Sequence, residues 1–305
     1  MRVLALGEVL WDVYEDRSII GGAPFNFSAH IAKLGADSYF LSSVGKDNLY
    51  AKTIESVKHF GIIDEMISVS DEFPTGTCMV TCDENGQPSY NITENSAFDN
   101  ITIDSATIDK INSLKFNAFY FGTLSQRSKE TSNSLLKILS ECQFDEIICD
   151  LNLRPNCYNT ESIENCLKYS TILKINREEY RALIECGFCC INKADFNEEA
   201  DFYKSYCSDI AQKYNINIII ITLDKEGAVV YVKNDDDLYI SEKPKNKAIS
   251  TVGAGDGFSA CFLYNYLCES KFNDCIERAI LLSDFIVTRY EAIPEYTEEL
   301  HSKIK

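Results

Sequence analysis

Ser250-Thr251-Val252-Gly253-Ala254-Gly255-Asp256-Gly257 places two glycines around a small residue and follows them at once with a carboxylate. Gly253 and Gly255 have no Cβ, so a turn built on them lets successive backbone N–H groups converge on an anion. Behind the turn, Phe258, Cys261 and Phe262 fall at i, i+3 and i+4, which predicts a helix starting there. A helix start adds positive potential to the N–H groups, and Asp256 in its first turn is expected to stay ionised near neutral pH. An anion cradle beside an ionised carboxylate suits phosphoryl transfer: the cradle holds the moving group and the carboxylate accepts a proton from the attacking hydroxyl. The same residues also fit a plain turn whose acidic residue complements a helix dipole. Two better-known phosphate patterns are not met. A G-x-G-x-x-G beginning at Gly253 needs glycine where Phe258 stands, and the chain has no G-x-x-x-x-G-K-[ST].

The elements that must position this turn read as alternating strands and helices. Val3–Leu6, Tyr39–Val44, Phe119–Phe121, Ile147–Cys149, Ile172–Ile175 and Ile218–Thr222 are short apolar runs bounded by polar or glycine punctuation, which predicts buried strands. Between them, Phe27, Ile31 and Leu34 precede Gly35, Ile54 and Val57 precede Gly61, and Leu135, Leu136, Ile138 and Leu139 stripe a further helix. The alternation predicts an α/β fold with a parallel sheet and helices on both faces. Thr77–Cys82 and Ser89–Ile92 flank Asp83-Glu84-Asn85-Gly86, a hairpin signal inside this pattern. Such a β-ribbon is placed to act as a lid at the carboxyl ends of the strands, where open α/β sheets bind ligands. No Pro-, Gly- or Ser-rich linker divides the 305 residues, so one principal domain is expected.

Composition narrows the partners. With 47 acidic and 29 basic residues the net charge is -18, which argues against nucleic acid or an anionic membrane surface. An anionic substrate must then be held by local amides, a few cations or a metal. Glu8 and Asp12 interrupt the first apolar run, and no window approaches a membrane span, so the expected location is cytoplasmic. The cysteines, 13 in all, sit mostly in apolar patterns and read as reduced, packed thiols. Cys186, Cys189 and Cys190 include one C-x-x-C with no second pair at zinc spacing, so a structural role is expected there. His30, His59 and His301 stand apart from any triad or ligand spacing and are expected at the surface.

Gly21-Gly22-Ala23-Pro24-Phe25-Asn26 resembles the N-terminal G-G-x-x-x-N sugar motif of the PfkB (ribokinase-like) carbohydrate kinases, and Ser250–Asp256 resembles that family's D-T-x-G-A-G-D signature except at its first residue. Gly7-Glu8-Val9-Leu10-Trp11-Asp12, Gly122-Thr123-Leu124-Ser125-Gln126-Arg127, Asp150-Leu151-Asn152-Leu153-Arg154 and Lys174-Ile175-Asn176-Arg177-Glu178-Glu179 extend the likeness over nearly the whole chain, in the family's order. Among its branches the chain is most similar to fructokinases. The resemblance implies a ribokinase-like fold over residues 1–305, with a lid formed from segments near 12–20 and 75–98.

It also implies roles. Asp256 becomes the general base, and the amides of Gly253, Ala254 and Gly255 the anion hole. Asp12, Gly22 and Asn26 match sugar-binding positions, where a carboxylate and an amide suit adjacent hydroxyls. Taken alone, Asp12 and Asn26 also fit a turn or helix cap. Phe98 and Arg154 fall where fructokinase-like members line the sugar pocket, although Arg154 equally fits an ordinary surface position. Asn176 and Glu179 match N-x-x-E, associated with magnesium and phosphates through water, so no direct protein ligand to the metal is implied. Thr222 and Gly227 match the nucleotide loop, in which relatives usually have glycine where this chain has Asp224. An extra carboxylate near phosphates is unfavourable unless it faces solvent, so Asp224 is expected to point outward.

Two departures bear on a monovalent cation, which many relatives hold beside the anion hole. Ser250 replaces the signature's aspartate, and Glu291-Ala292 replaces a Gly-Ala, so potassium dependence stays open. The expected activity is ATP- and Mg2+-dependent phosphorylation of a sugar, with fructose as the leading acceptor. A kinase for 2-keto-3-deoxygluconate, another sugar or a nucleoside is the alternative, as is a catalytically weak sugar-binding regulator. The resemblance also suggests a homodimer through the lid.

Overall fold

The apolar runs become strands and the striped segments helices in the computed structural model, which describes residues 1–82, 88–190 and 199–305. The chain forms two compact units, Met1–Asp145 and Glu146–Lys305.

The first unit runs β1 (Arg2–Leu6), β2 (Leu10–Val13), β3 (Ser18–Gly21), α1 (Ala23–Leu34), β4 (Asp37–Gly45), α2 (Tyr50–His59), β5 (Ile63–Ser70), β6 (Gly76–Cys82) and β7 (Pro88–Ile92). It continues through a short 3₁₀ turn, Ala97–Asn100, to α3 (Ser105–Leu114), β8 (Ala118–Gly122) and α4 (Lys129–Glu141). Strands β8, β1, β4 and β5 lie side by side and all parallel. The residues of β8, β1 and β4 are buried almost without interruption, as strands covered on both faces require, whereas the edge strand β5 buries only Met66. Helix α1 starts with Pro24 in its first turn and stops at Gly35, which takes a left-handed φ of 99° that glycine adopts without a Cβ penalty.

Every α1 residue from Pro24 to Ile31 is buried. His30 is therefore inside the unit rather than at the surface, because a helix enclosed on most of its circumference leaves no solvent-facing position there. Its two counterparts differ: His59 is exposed and His301 half-buried.

The expected hairpin is one half of a larger lid-like sheet. β6 and β7 pair antiparallel, β6 pairs in parallel with β2, and β2 pairs antiparallel with β3, in the order β3-β2-β6-β7. The residues of the turn itself, Asp83–Gly86, lie outside the described residues. The base of this sheet is fixed by Arg127. Its Nε and Nη2 donate to the two oxygens of Asp99 at 2.6 and 2.7 Å, and Nη2 also donates to the Thr93 carbonyl at 2.7 Å. Asp99 in turn accepts from the Ser96 N–H, closing the 3₁₀ turn that follows β7.

The second unit runs β9 (Glu146–Asp150), α5 (Thr160–Tyr169), β10 (Ile172–Asn176), α6 (Arg177–Glu185), α7 (Ala200–Tyr214), β11 (Ile218–Thr222), β12 (Ala228–Val232), β13 (Asp237–Ile240), α8 (Ala254–Leu267), α9 (Phe272–Ile286) and α10 (Glu298–Lys303). β9, β10 and β11 are parallel, and β12 and β13 continue the order antiparallel. α8 is buried over most of its length, from Gly257 to Leu263, so its N-terminal turn is carried on a helix held from several sides. Among the described residues, no helix is long and apolar enough to cross a membrane.

Because the Arg127 and Asp99 side chains are 10% and 5% exposed, removing one charge leaves the other buried. Arg127→Met is expected to cost about 3 kcal/mol in urea unfolding, and Asp99→Asn/Arg127→Met clearly less. Equal losses would show that the ion pair does not secure the base of the lid-like sheet.

Candidate functional site

In the second unit the strand ends converge on α8. Lys174 pairs in register with Asp150 across β10 and β9, and Asn176 with Thr222 across β10 and β11, so these four residues share the carboxyl end of the sheet. That end is where open α/β sheets carry their ligands. Lys174 Nζ donates to both Asp150 oxygens at 3.0 Å, with both residues buried. Ser259, one turn into α8, lies 3.2 Å from Asp150 Oδ2 and 3.0 Å from the Gly255 carbonyl.

The glycine turn has a steric reason at each glycine. Gly253 holds φ +81°, and a Cβ there would meet Ala292 at 2.6 Å. A Cβ on Gly255 would lie 3.1 Å from Lys174 Nζ. Ala254 opens α8 and Asp256 stands in its first turn, among N–H groups that the helix itself cannot satisfy. The turn thus brings a helix start and a carboxylate together, the local structure its sequence predicts.

Asn176 and Glu179 form a reciprocal cap on α6. Asn176 Oδ1 accepts from the N–H groups of Glu178 and Glu179, and Glu179 Oε2 accepts from the Asn176 N–H at 2.8 Å. The other Glu179 oxygen accepts from the Leu153 N–H at 2.9 Å, which ties the loop after β9 to α6. Burial pushes the Glu179 carboxyl above its usual range, against the pull of Lys174. Burial alone would lower the Lys174 ammonium; Asp150, Glu179 and Asp256 outweigh it and raise the group above the usual lysine value.

The nucleotide-loop residues follow β11. Asp224 takes φ +54°, the left-handed region that aspartate tolerates better than most residues and that glycine fills without strain. Its carboxylate is exposed, as expected, and lies 3.6 Å from Arg177 Nε. Gly227 has φ +91°, and a Cβ there would collide with Ser241 Oγ and the Glu242 carbonyl. Arg154 is exposed on the loop past Asn152, itself at φ +44°. Ser250 Oγ accepts from the Val252 N–H at 3.3 Å, and Glu291 is exposed.

The first unit gathers Asp12, Gly22 and Asn26. Asp12 Oδ2 lies 3.2 Å from where a Cβ on Gly21 would stand, so the first glycine leaves room for that carboxylate. Gly22, at φ +111°, sits against Glu8: a Cβ would come 2.5 Å from the Glu8 carbonyl. The buried Glu8 carboxylate accepts from the Ala23 N–H at 3.1 Å, and Asn26 N–H closes the first turn of α1 onto the Gly22 carbonyl at 2.8 Å. Phe98 does not present a face to an open pocket. Its ring has no exposed surface, being closed between the Gly76 backbone and the Arg127 guanidinium 5.0 Å from its centre.

Residues 6–299 match the family described as pfkB family carbohydrate kinase. The chain belongs to the PfkB carbohydrate kinase family. It is similar to a ribokinase from Dictyostelium discoideum, at 28% identity over 283 residues that cover 90% of this chain and 86% of the relative. Among solved structures, a 2-dehydro-3-deoxygluconokinase from Thermotoga maritima superposes with a TM-score of 0.81 at 20% identity, covering 100% of this chain and 99% of that one. A fructokinase with bound ATP from Xylella fastidiosa gives 0.79 at 17% identity, covering 96% and 94%. The fold is therefore the ribokinase-like α/β fold.

Sequence reasoning missed Lys174, Asp150, Ser259 and Glu8 as individual site residues. The signal for the first two was present: a lysine inside an apolar strand, and an aspartate ending another, announce a buried ion pair. Cys186 and Cys190 are exposed and Cys189 buried, and among the described residues no cluster of His, Cys, Asp and Glu is arranged to hold a metal ion.

Gly253→Ala places a methyl against Ala292 at a left-handed φ, and is expected to destabilise the protein by about 2 kcal/mol in thermal or urea unfolding. An unchanged midpoint would show that the turn relaxes without cost.

Proposed function

We propose that this PfkB kinase transfers the γ-phosphoryl group of ATP to the primary hydroxyl of a sugar, with fructose giving fructose 6-phosphate as the leading case. The observation that carries the reading is Asp256, set in the first turn of α8 directly behind the Gly253–Gly255 turn. In this reading Asp256 takes the proton of the attacking hydroxyl while the turn's N–H groups receive the charge of the transferring group. Asp12, Gly22 and Asn26 hold the acceptor. Thr222 and Gly227 serve the nucleotide, and the outward-facing Asp224 keeps its charge away from the phosphates.

The donor set fits a nucleoside triphosphate: the turn is kept free of side chains by two glycines, and the nearest buried cation, Lys174, lies against it. Magnesium on the phosphates supplies charge neutralisation. Glu179, with each oxygen already accepting one backbone N–H, keeps further lone pairs to meet the hydrated ion. Fructose is favoured by the resemblance of the motifs to fructokinases and by the fold shared with one. A relative named ribokinase and a fold neighbour named 2-dehydro-3-deoxygluconokinase make a pentose and a keto-deoxy acid the competing acceptors. Closure of the β3-β2-β6-β7 sheet over the acceptor, within one kinase domain, and pairing of two chains through it complete the proposal.

Assaying ADP release with Mg-ATP against fructose, ribose, 2-keto-3-deoxygluconate and a nucleoside tests the acceptor. Fructose is expected to give the highest kcat/KM, and a higher value for any other acceptor overturns the fructose reading. Asp256→Asn is expected to lower kcat by about 1,000-fold with sugar-dependent thermal stabilisation retained. Wild-type turnover in that variant would remove Asp256 as the base.

A further inference from the structure

β10 is apolar from Ile172 to Ile175 except at Lys174, whose side chain is 8% exposed while that of its partner Asp150 is 2% exposed. Burying two ions costs several kcal/mol each in lost hydration, and an apolar pair of similar volume would hold two strands together at least as well. Strand pairing alone therefore gives no reason for the pair. Its surroundings do. The ammonium lies against the Gly255 backbone, 3.1 Å from where a Cβ would be, so any side chain at position 255 would displace it. Asp150 reaches the same helix through Ser259, whose Oγ also lies 3.0 Å from the Gly255 carbonyl. The pair thus meets the start of α8 at two points, the Gly255 backbone and Ser259. The carboxylates facing the ammonium come from three elements: Asp150 at the end of β9, Glu179 in α6 and Asp256 in α8.

We propose that Lys174 is a positioning residue of the phosphoryl-transfer site: braced on Asp150, it fixes the Gly253–Asp256 turn and supplies the cationic charge beneath it. The inference rests on the reading of Asp256 as the base. A fixed ammonium next to the turn adds to the field of the backbone donors at the moment charge develops, and costs no reorganisation because Asp150 already holds it. Lys174 need not touch either substrate; it acts through the turn and through its field.

The test compares wild type, Lys174→Met and Asp150→Asn/Lys174→Met. The single variant leaves Asp150 buried without its cation and is exposed to misfolding, whereas the double variant removes both charges and keeps an acceptor for Ser259. With Mg-ATP and the best acceptor, the double variant is expected to fold, to lose about 100-fold in kcat, and to keep the acceptor KM within about threefold. Amide hydrogen exchange at residues 253–257 is expected to quicken relative to the rest of α8. Wild-type kcat in the double variant would overturn the proposal, as would unchanged exchange at the turn. A wild-type chain silent on every acceptor would instead overturn the kinase reading beneath it, while the exchange measurement would still decide whether the brace exists.

Discussion

Parallel strands buried on both faces tolerate few charges, and in the second unit two of those charges occupy register-matched positions at the carboxyl ends of β9 and β10. Placing Asp150 and Lys174 there fixes several other choices. The ammonium lies close above position 255, where a Cβ would come within 3.1 Å of it and press it aside. Ser259 must carry a hydroxyl within reach of Asp150 if the buried carboxylate is to have a partner from α8. Asp256 and Glu179 then sit in the field of one cation rather than facing each other as bare carboxylates. The chemistry of the turn follows from that arrangement as much as from the glycines themselves.

The first unit solves a comparable problem with a different device. Gly21 and Gly22 are both needed because acidic residues crowd them: Asp12 approaches the first, and the Glu8 backbone and side chain approach the second. Glu8 then uses its carboxylate on the Ala23 N–H at the start of α1, where negative charge is favoured. Each unit therefore carries a glycine pair at a helix N-terminus, with one glycine of each pair beside a charged side chain, Gly21 beside Asp12 and Gly255 beside Lys174.

Much of this was legible in the sequence. Strand runs such as Ile218–Thr222 could be read because buried parallel strands have no polar face to obscure the pattern. Helix ends at Gly35 and Gly61 were legible because left-handed stops favour glycine. Less legible were features that depend on distant partners. The parallel pairing of β2 with β6 enlarges a hairpin into a four-stranded sheet, yet residues 14–75 separate its two strands in sequence. His30 reads as a surface residue because it stands apart from any ligand spacing, and the Phe27, Ile31 and Leu34 stripe marks one face of a helix that is in fact enclosed on nearly all sides. Phe98 was matched to a pocket by position, but its burial is decided by Gly76 and Arg127, which no local pattern connects to it.

The contact between Gly253 and Ala292 also explains how the C-terminal segment can depart from its relatives without disturbing the turn. Position 292 meets the turn directly, at 2.6 Å from where a Cβ on Gly253 would stand, whereas the side chain at 291 is exposed. Adjacent residues therefore stand in different surroundings: 292 lies against the turn, and 291 faces solvent. A glutamate in place of glycine at 291 is the kind of change such a boundary permits, and it makes the residue a natural attachment point for a probe reporting on the neighbouring turn.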